Sequence, residues 1–123
     1  MSKKILIVED DTDNRRIVAK TLSVDGYEVI EATDGVQALA KARAERPDLI
    51  LMDLALPNMD GWEATRRLKN DAETRAIPIV ALTAVAMRGD EEQARAAGCD
   101  DYISKPARTK AIREMVKKYT GGT

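Results

Sequence analysis

Glu9, Asp10 and Asp11 stand in a row after one short apolar run, and Asp53 follows a second. Thr83 ends a third run, and Ser104 with Lys105 ends a fourth. Carboxylates brought together repel by about 4 kcal/mol per pair at ~4 Å in an effective dielectric near 20, unless a cation or proton intervenes. A hard divalent ion resolves that conflict. Magnesium takes oxygen ligands, keeps several waters and is commonly held by one or two carboxylates plus a phosphate oxygen, so Mg2+ suits a set that contains no histidine. An aspartate can also attack phosphorus as a covalent nucleophile, and phosphoryl transfer asks mainly for positioning and for neutralisation of three equatorial oxygens. The Lys105 ammonium and the Thr83 hydroxyl suit those oxygens. Asp53, alone at the end of the most hydrophobic run, is the candidate attacking carboxylate.

Composition narrows the field. The chain has 123 residues, 44% hydrophobic and 33% charged, which suits one domain with a single core; its expected limits are 1–120, with 121–123 as a tail. With 20 Lys+Arg against 21 Asp+Glu, the bulk charge of -1 points to neither nucleic acid nor membrane. There is no histidine, so His-ligated metals, Ser-His and Cys-His pairs and a phosphohistidine on this chain are all excluded. The lone Cys99 cannot form an internal disulfide and reads as a small buried hydrophobe; a reducing compartment, the cytoplasm, is the expected location. The apolar run 5–8 is too short for a signal sequence or a membrane span.

The elements that must position these residues alternate between short apolar runs and longer 3.6-period stretches. Strands are expected at 4–8, 27–32, 49–52, 79–82 and 101–103. Helices are expected from Thr12 or Asp13, as cap, through Leu22; from Asp34 to before Pro47; at 61–68; more weakly at 90–97; and at the C-terminus. The first should turn Ile17, Val18, Thr21 and Leu22 inward, the second Val36, Leu39 and Ala40, and the last Ile112, Met115, Val116 and Tyr119. Met52, Met59 and Met115 read as packing. Strands continuous in hydrophobicity and alternating with helices imply an α/β three-layer sandwich around a parallel sheet. Ligands in such sheets sit at the carboxyl ends of the strands, where strand order reverses, and the acids, Thr83 and Lys105 all fall at strand ends.

Taken in order, KILIVEDD, DLILMDLALPNMDG, PIVALTA and GCDDYISKPA give the chain a resemblance to the response-regulator receiver domains of bacterial two-component signalling, over essentially its whole length. The resemblance implies a flavodoxin-like five-stranded parallel sheet of order 2-1-3-4-5. It implies that Asp53 accepts a phosphoryl group from the phosphohistidine of a sensor histidine kinase or histidine phosphotransfer protein. Glu9 and Asp10 match the acidic pair that holds magnesium together with Asp53 and the main-chain carbonyl of Ala55. Thr83 matches the switch hydroxyl, Lys105 the phosphoryl-pairing lysine, Tyr102 the switch aromatic, and Pro106 a residue after a cis peptide. Such a chain is not an enzyme beyond assisting its own phosphorylation and dephosphorylation. Its output passes to a downstream protein target, with no direct DNA or membrane contact, as a monomer or a weak phosphorylation-dependent dimer. Two departures stand out: Ala107 and Arg108 replace the usual large apolar residue after Lys105-Pro106, and phenylalanine is absent.

Other readings meet specific obstacles. Singly, Asp10 and Asp11 read as a solvated helix cap, Asp53 as a turn cap, and Lys105 as a surface lysine. An aspartyl-nucleophile magnesium phosphohydrolase generally carries a second Asp two residues on, where Ala55 stands. A flavodoxin-like nucleotide binder needs Gly, Ser and Thr amides around phosphate, where Glu9, Asp10 and Asp11 would repel it. An EF-hand reading of Asp11, Asp13 and Arg15 fails at the third ligand. A receiver cut from a longer regulator or hybrid kinase stays open beside the stand-alone form.

Overall fold

The computed structural model describes residues 3–54, 56, 59–83, 92, 95–104 and 108–121, with Thr83 described in its main chain only. Five strands form one sheet: β1 (Lys4–Val8), β2 (Glu28–Ala32), β3 (Leu49–Asp53), β4 (Ile79–Thr83) and β5 (Asp101–Ser104). All neighbours pair in parallel, in the order β2-β1-β3-β4-β5. The long helices are α1 (Thr12–Val24), α2 (Gly35–Glu45), α3 (Gly61–Asn70) and α4 (Thr109–Thr120). Glu92 and 95–97 are helical as well, and the rest of the helix expected at 90–97 lies outside the described residues.

Every residue of β3 is buried, because successive side chains enter two different cores. Leu6, Val8, Ile50, Met52, Ile79 and Ala81 pack with Ala38 and Ala42 of α2 and Ala64 and Leu68 of α3. On the other face Ile5, Ile7, Leu49, Leu51, Val80 and Leu82 pack with Leu22 of α1 and Ile112 and Val116 of α4. Helices on both faces of a parallel sheet complete the three-layer sandwich. Met59 and Met115 pack against these cores, as expected. Cys99 is buried, and that burial pushes its thiol up from the usual value. The Tyr119 hydroxyl donates to Asp101 Oδ2 at 3.1 Å; burial and this hydrogen bond push the phenol up to about 12.

Helix starts and faces depart from expectation in three places. Asp11, not Thr12 or Asp13, caps α1: it is extended, and its carboxylate accepts from the Asn14 N–H at 2.9 Å. Ile17 is 56% exposed, since the inward arc of α1 runs through Val18, Ala19 and Leu22, and position 17 falls one step off it. Val36 is 54% exposed and Ala40 is exposed, while α2 buries Gly35, Ala38 and Ala42, with Leu39 half-buried. Close approach decides that face: a Cβ at position 35 would lie 2.3 Å from the Met59 carbonyl oxygen, so only the small-residue side can seat there.

A half-buried lysine ties α3 to the far side of the sheet. Lys69 Nζ donates to Asp100 Oδ2 at 2.8 Å, to the Ile77 carbonyl at 2.9 Å and to the Arg75 carbonyl at 3.3 Å. Asp100 Oδ2 also accepts the Ile79 N–H at 2.8 Å, so one carboxylate joins the starts of β4 and β5 to the end of α3. Lys69→Met keeps most of the stem but removes the donor, leaving Asp100 and two carbonyls without their shared partner. The expected cost is about 1–2 kcal/mol, read from urea unfolding midpoints; an unchanged midpoint would contradict this role.

Candidate functional site

The chain passes from β1 to β2 on one side and continues through β3, β4 and β5 on the other, so strand order reverses between β1 and β3. Val8 pairs with Met52, so the residues that follow them, Glu9 and Asp53, leave adjacent strand ends side by side. Glu9 extends the pairing one step, its N–H donating to the Ala32 carbonyl at 3.0 Å, and is 4% exposed. Asp53 is 2% exposed, and Asp10 is exposed at the rim. One carboxylate oxygen from each of Glu9, Asp10 and Asp53 lies within 4.8 Å of the other two, the one such cluster among the described residues. Three hard oxygen donors this close, two of them buried, fit a divalent cation, whose charge would offset the repulsion among the three carboxylates.

The sequence-predicted residues divide three ways. Glu9, Asp10 and Asp53 meet, while Asp11 turns away to cap α1. The β4 main chain reaches the same edge, with Leu82 opposite Asp53 and Thr83 opposite Ser104. Tyr102 is half-buried against the core that α2 and α3 cover. Ala55, Lys105, Pro106 and the Thr83 side chain lie outside the described residues.

Two further residues shape the site. Gly61 begins α3 directly beneath β3: its N–H donates to the Leu54 carbonyl at 3.1 Å, and a Cβ there would lie 2.3 Å from the Asp53 carbonyl oxygen. Arg15, which enters the sequence reading only as the position where an EF-hand fails, is the second. Its side chain is only 13% exposed, with Nη1 donating to the Glu9 carbonyl at 3.1 Å and Nε pairing with Glu31 Oε1 at 3.0 Å. Its place one turn after the Asp11 cap was the available signal, but the partner on β2 becomes visible only once β2 is known to lie beside β1.

Comparison with known proteins agrees with this geometry. The family model of the response regulator receiver domain matches residues 5–117. The polar-differentiation response regulator DivK of Brucella anthropi is 47% identical over 121 residues, covering 98% of each chain, and DivK of Brucella ovis is 46% identical over the same length. Among solved structures, the receiver domain of the sensor histidine kinase PA1611 from Pseudomonas aeruginosa, with a magnesium ion coordinated in its active-site cleft, is 38% identical. It superposes with a TM-score of 0.91 over 99% of this chain and 100% of that one. The chemotaxis response regulator CheY4 of Vibrio cholerae matches with a TM-score of 0.91 at 30% identity, over 97% of this chain and 99% of that one. Receivers are signalling domains that work with histidine kinases in two-component systems, not conventional enzymes. A parallel sheet of order 2-1-3-4-5, an acidic cluster at its reversal point and a family match from residue 5 to residue 117 lead to one conclusion: the chain belongs to the response regulator receiver family.

Proposed function

We propose that this chain is a phosphoacceptor receiver, a protein that takes a phosphoryl group onto Asp53 from the phosphohistidine of a sensor histidine kinase or histidine phosphotransfer protein. The observation that carries the reading is the convergence of Glu9, Asp10 and Asp53 within 4.8 Å at the sheet's reversal point. In this reading a carboxylate oxygen of Asp53 attacks phosphorus, the P–N bond to the donor ring breaks with its electron pair going to nitrogen, and the ring leaves as neutral imidazole after taking one proton from water. Glu9, Asp10, Asp53 and the Ala55 carbonyl hold magnesium, which when bound neutralises phosphoryl oxygens and the crowded carboxylates. Lys105 and the Thr83 hydroxyl take up the remaining oxygen charge. Hydrolysis of the acyl phosphate returns free Asp53, so the chain assists only its own phosphorylation and dephosphorylation.

Phosphorylated Asp53 draws in the Thr83 hydroxyl and frees space beside Tyr102, so that the segment 90–97, β5 and α4 form the face offered to a downstream protein. The domain spans 1–120 and works as a monomer or weak phosphorylation-dependent dimer, without contacting DNA. Among the described residues no helix is long and apolar enough to cross a membrane, and a cytoplasmic location accords with the single free thiol.

The test is phosphoryl uptake followed by intact mass. With magnesium and acetyl phosphate the full chain should gain a single phosphoryl group, and with EDTA it should gain almost none. Uptake that survives EDTA would contradict the metal's role, and no uptake in magnesium would contradict the acceptor role.

A further inference from the structure

We infer that Arg15 is a positioning residue for the divalent-cation site, acting through the peptide unit that joins Glu9 to Asp10. The inference rests on the metal-site reading and adds to it a residue that holds none of the metal itself. Arg15 lies in the first turn of α1, where its N–H donates to the Asp11 carbonyl at 2.9 Å, and its side chain crosses the carboxyl ends of both β1 and β2. Glu9 is thereby held at both poles of its main chain. Its N–H donates to Ala32 on β2 at 3.0 Å, and its carbonyl accepts from Arg15 Nη1 at 3.1 Å. That carbonyl shares one rigid plane with the Asp10 N–H, so fixing the oxygen fixes the direction in which the chain leaves Glu9 and enters Asp10. The two carboxylates that approach Asp53 are therefore oriented relative to each other by one guanidinium.

Charge is the apparent objection, because a cation this close should oppose a second cation. Glu31 answers it. The Nε–Oε1 pair at 3.0 Å makes the couple neutral while leaving Nη1 free to donate to Glu9. Glu31 is itself anchored at its main-chain carbonyl by the Lys41 ammonium. Lysine cannot stand in for Arg15, since a single ammonium lacks the planar fork that serves an acid on one strand and a carbonyl on the next.

Isothermal titration of magnesium into the full chain, paired with urea unfolding in EDTA, separates positioning from simple packing. Arg15→Ala and Arg15→Lys should each weaken magnesium binding by about 10-fold, the scale seen when groups supporting metal ligands are removed. A structural role alone would lower the unfolding midpoint, leave the affinity in place and be rescued by lysine. Affinity within twofold of wild type in either variant would overturn the inference. Wild type and Asp10→Ala serve as controls: no magnesium binding by wild type overturns the metal site beneath the inference, whereas binding that is lost in Asp10→Ala and intact in both Arg15 variants overturns the inference alone. Should Arg15→Ala not fold, Glu31→Gln decides. It exposes the guanidinium charge, so magnesium affinity should fall, and fall more at low salt than at high; unchanged affinity there also overturns the inference.

Discussion

Gly61→Ala should lower stability by about 3 kcal/mol, near the upper end for overpacked sites, and should weaken magnesium binding with it. A Cβ at this position would meet the Asp53 carbonyl oxygen at 2.3 Å and Leu54 Cα at 2.6 Å. Both are main-chain atoms, so no rotamer relieves the contact; either α3 lifts or the end of β3 moves. Since the displaced residue is Asp53 itself, the disturbance lands in the acidic cluster. Gly121→Ala is the comparison. Its Cβ would meet nothing within 4 Å, and its cost is only that of a left-handed conformation at φ 79°, about 1–2 kcal/mol. Urea unfolding of both variants, with magnesium titrations alongside, should show the larger loss and the altered affinity in Gly61→Ala alone. Equal losses with unchanged affinity would contradict the close packing of α3 beneath Asp53.

Asp53→Asn should be more stable than wild type in EDTA. Three carboxylates with oxygens within 4.8 Å of one another repel, and two are buried, where water screens them least. Neutralising one removes two of the three repulsions with little change in shape. Because Asp10 is exposed, the net gain is expected at about 1–2 kcal/mol, well below the bare Coulomb sum. Magnesium should then reverse the ranking. On the proposed metal-site reading the ion would bind the folded wild type and stabilise it by mass action, whereas the variant would lack one anionic ligand and gain less. Thermal unfolding with and without magnesium measures both arms. A variant less stable than wild type in EDTA would contradict the repulsion.

The strands and the acids were legible in the sequence for the same physical reason. A parallel strand covered on both faces is apolar along its length, so the central runs 5–8 and 49–52 stand out, and the first charged residue after each, Glu9 and Asp53, marks its carboxyl end. Glu9, Asp10 and Asp53 therefore came together as expected. Helix faces were less legible, because a short helix can offer more than one apolar arc and the neighbouring backbone chooses between them. Ile17 and Val36 lost that choice, the second because the Met59 main chain admits nothing larger than Gly35. Contacts between distant segments were not legible at all. The Lys69–Asp100 bond and the path of Arg15 from Glu9 to Glu31 depend on which elements become neighbours, and no local spacing announces that.

Asp53 as the phosphoryl acceptor is tested most directly by labelling wild type and Asp53→Asn with acetyl phosphate in magnesium, then treating each with hydroxylamine. Wild type should carry a phosphoryl group that hydroxylamine removes, as an acyl phosphate requires, and the variant should carry none. Equal labelling of Asp53→Asn, or a hydroxylamine-resistant adduct on wild type, would contradict the assignment.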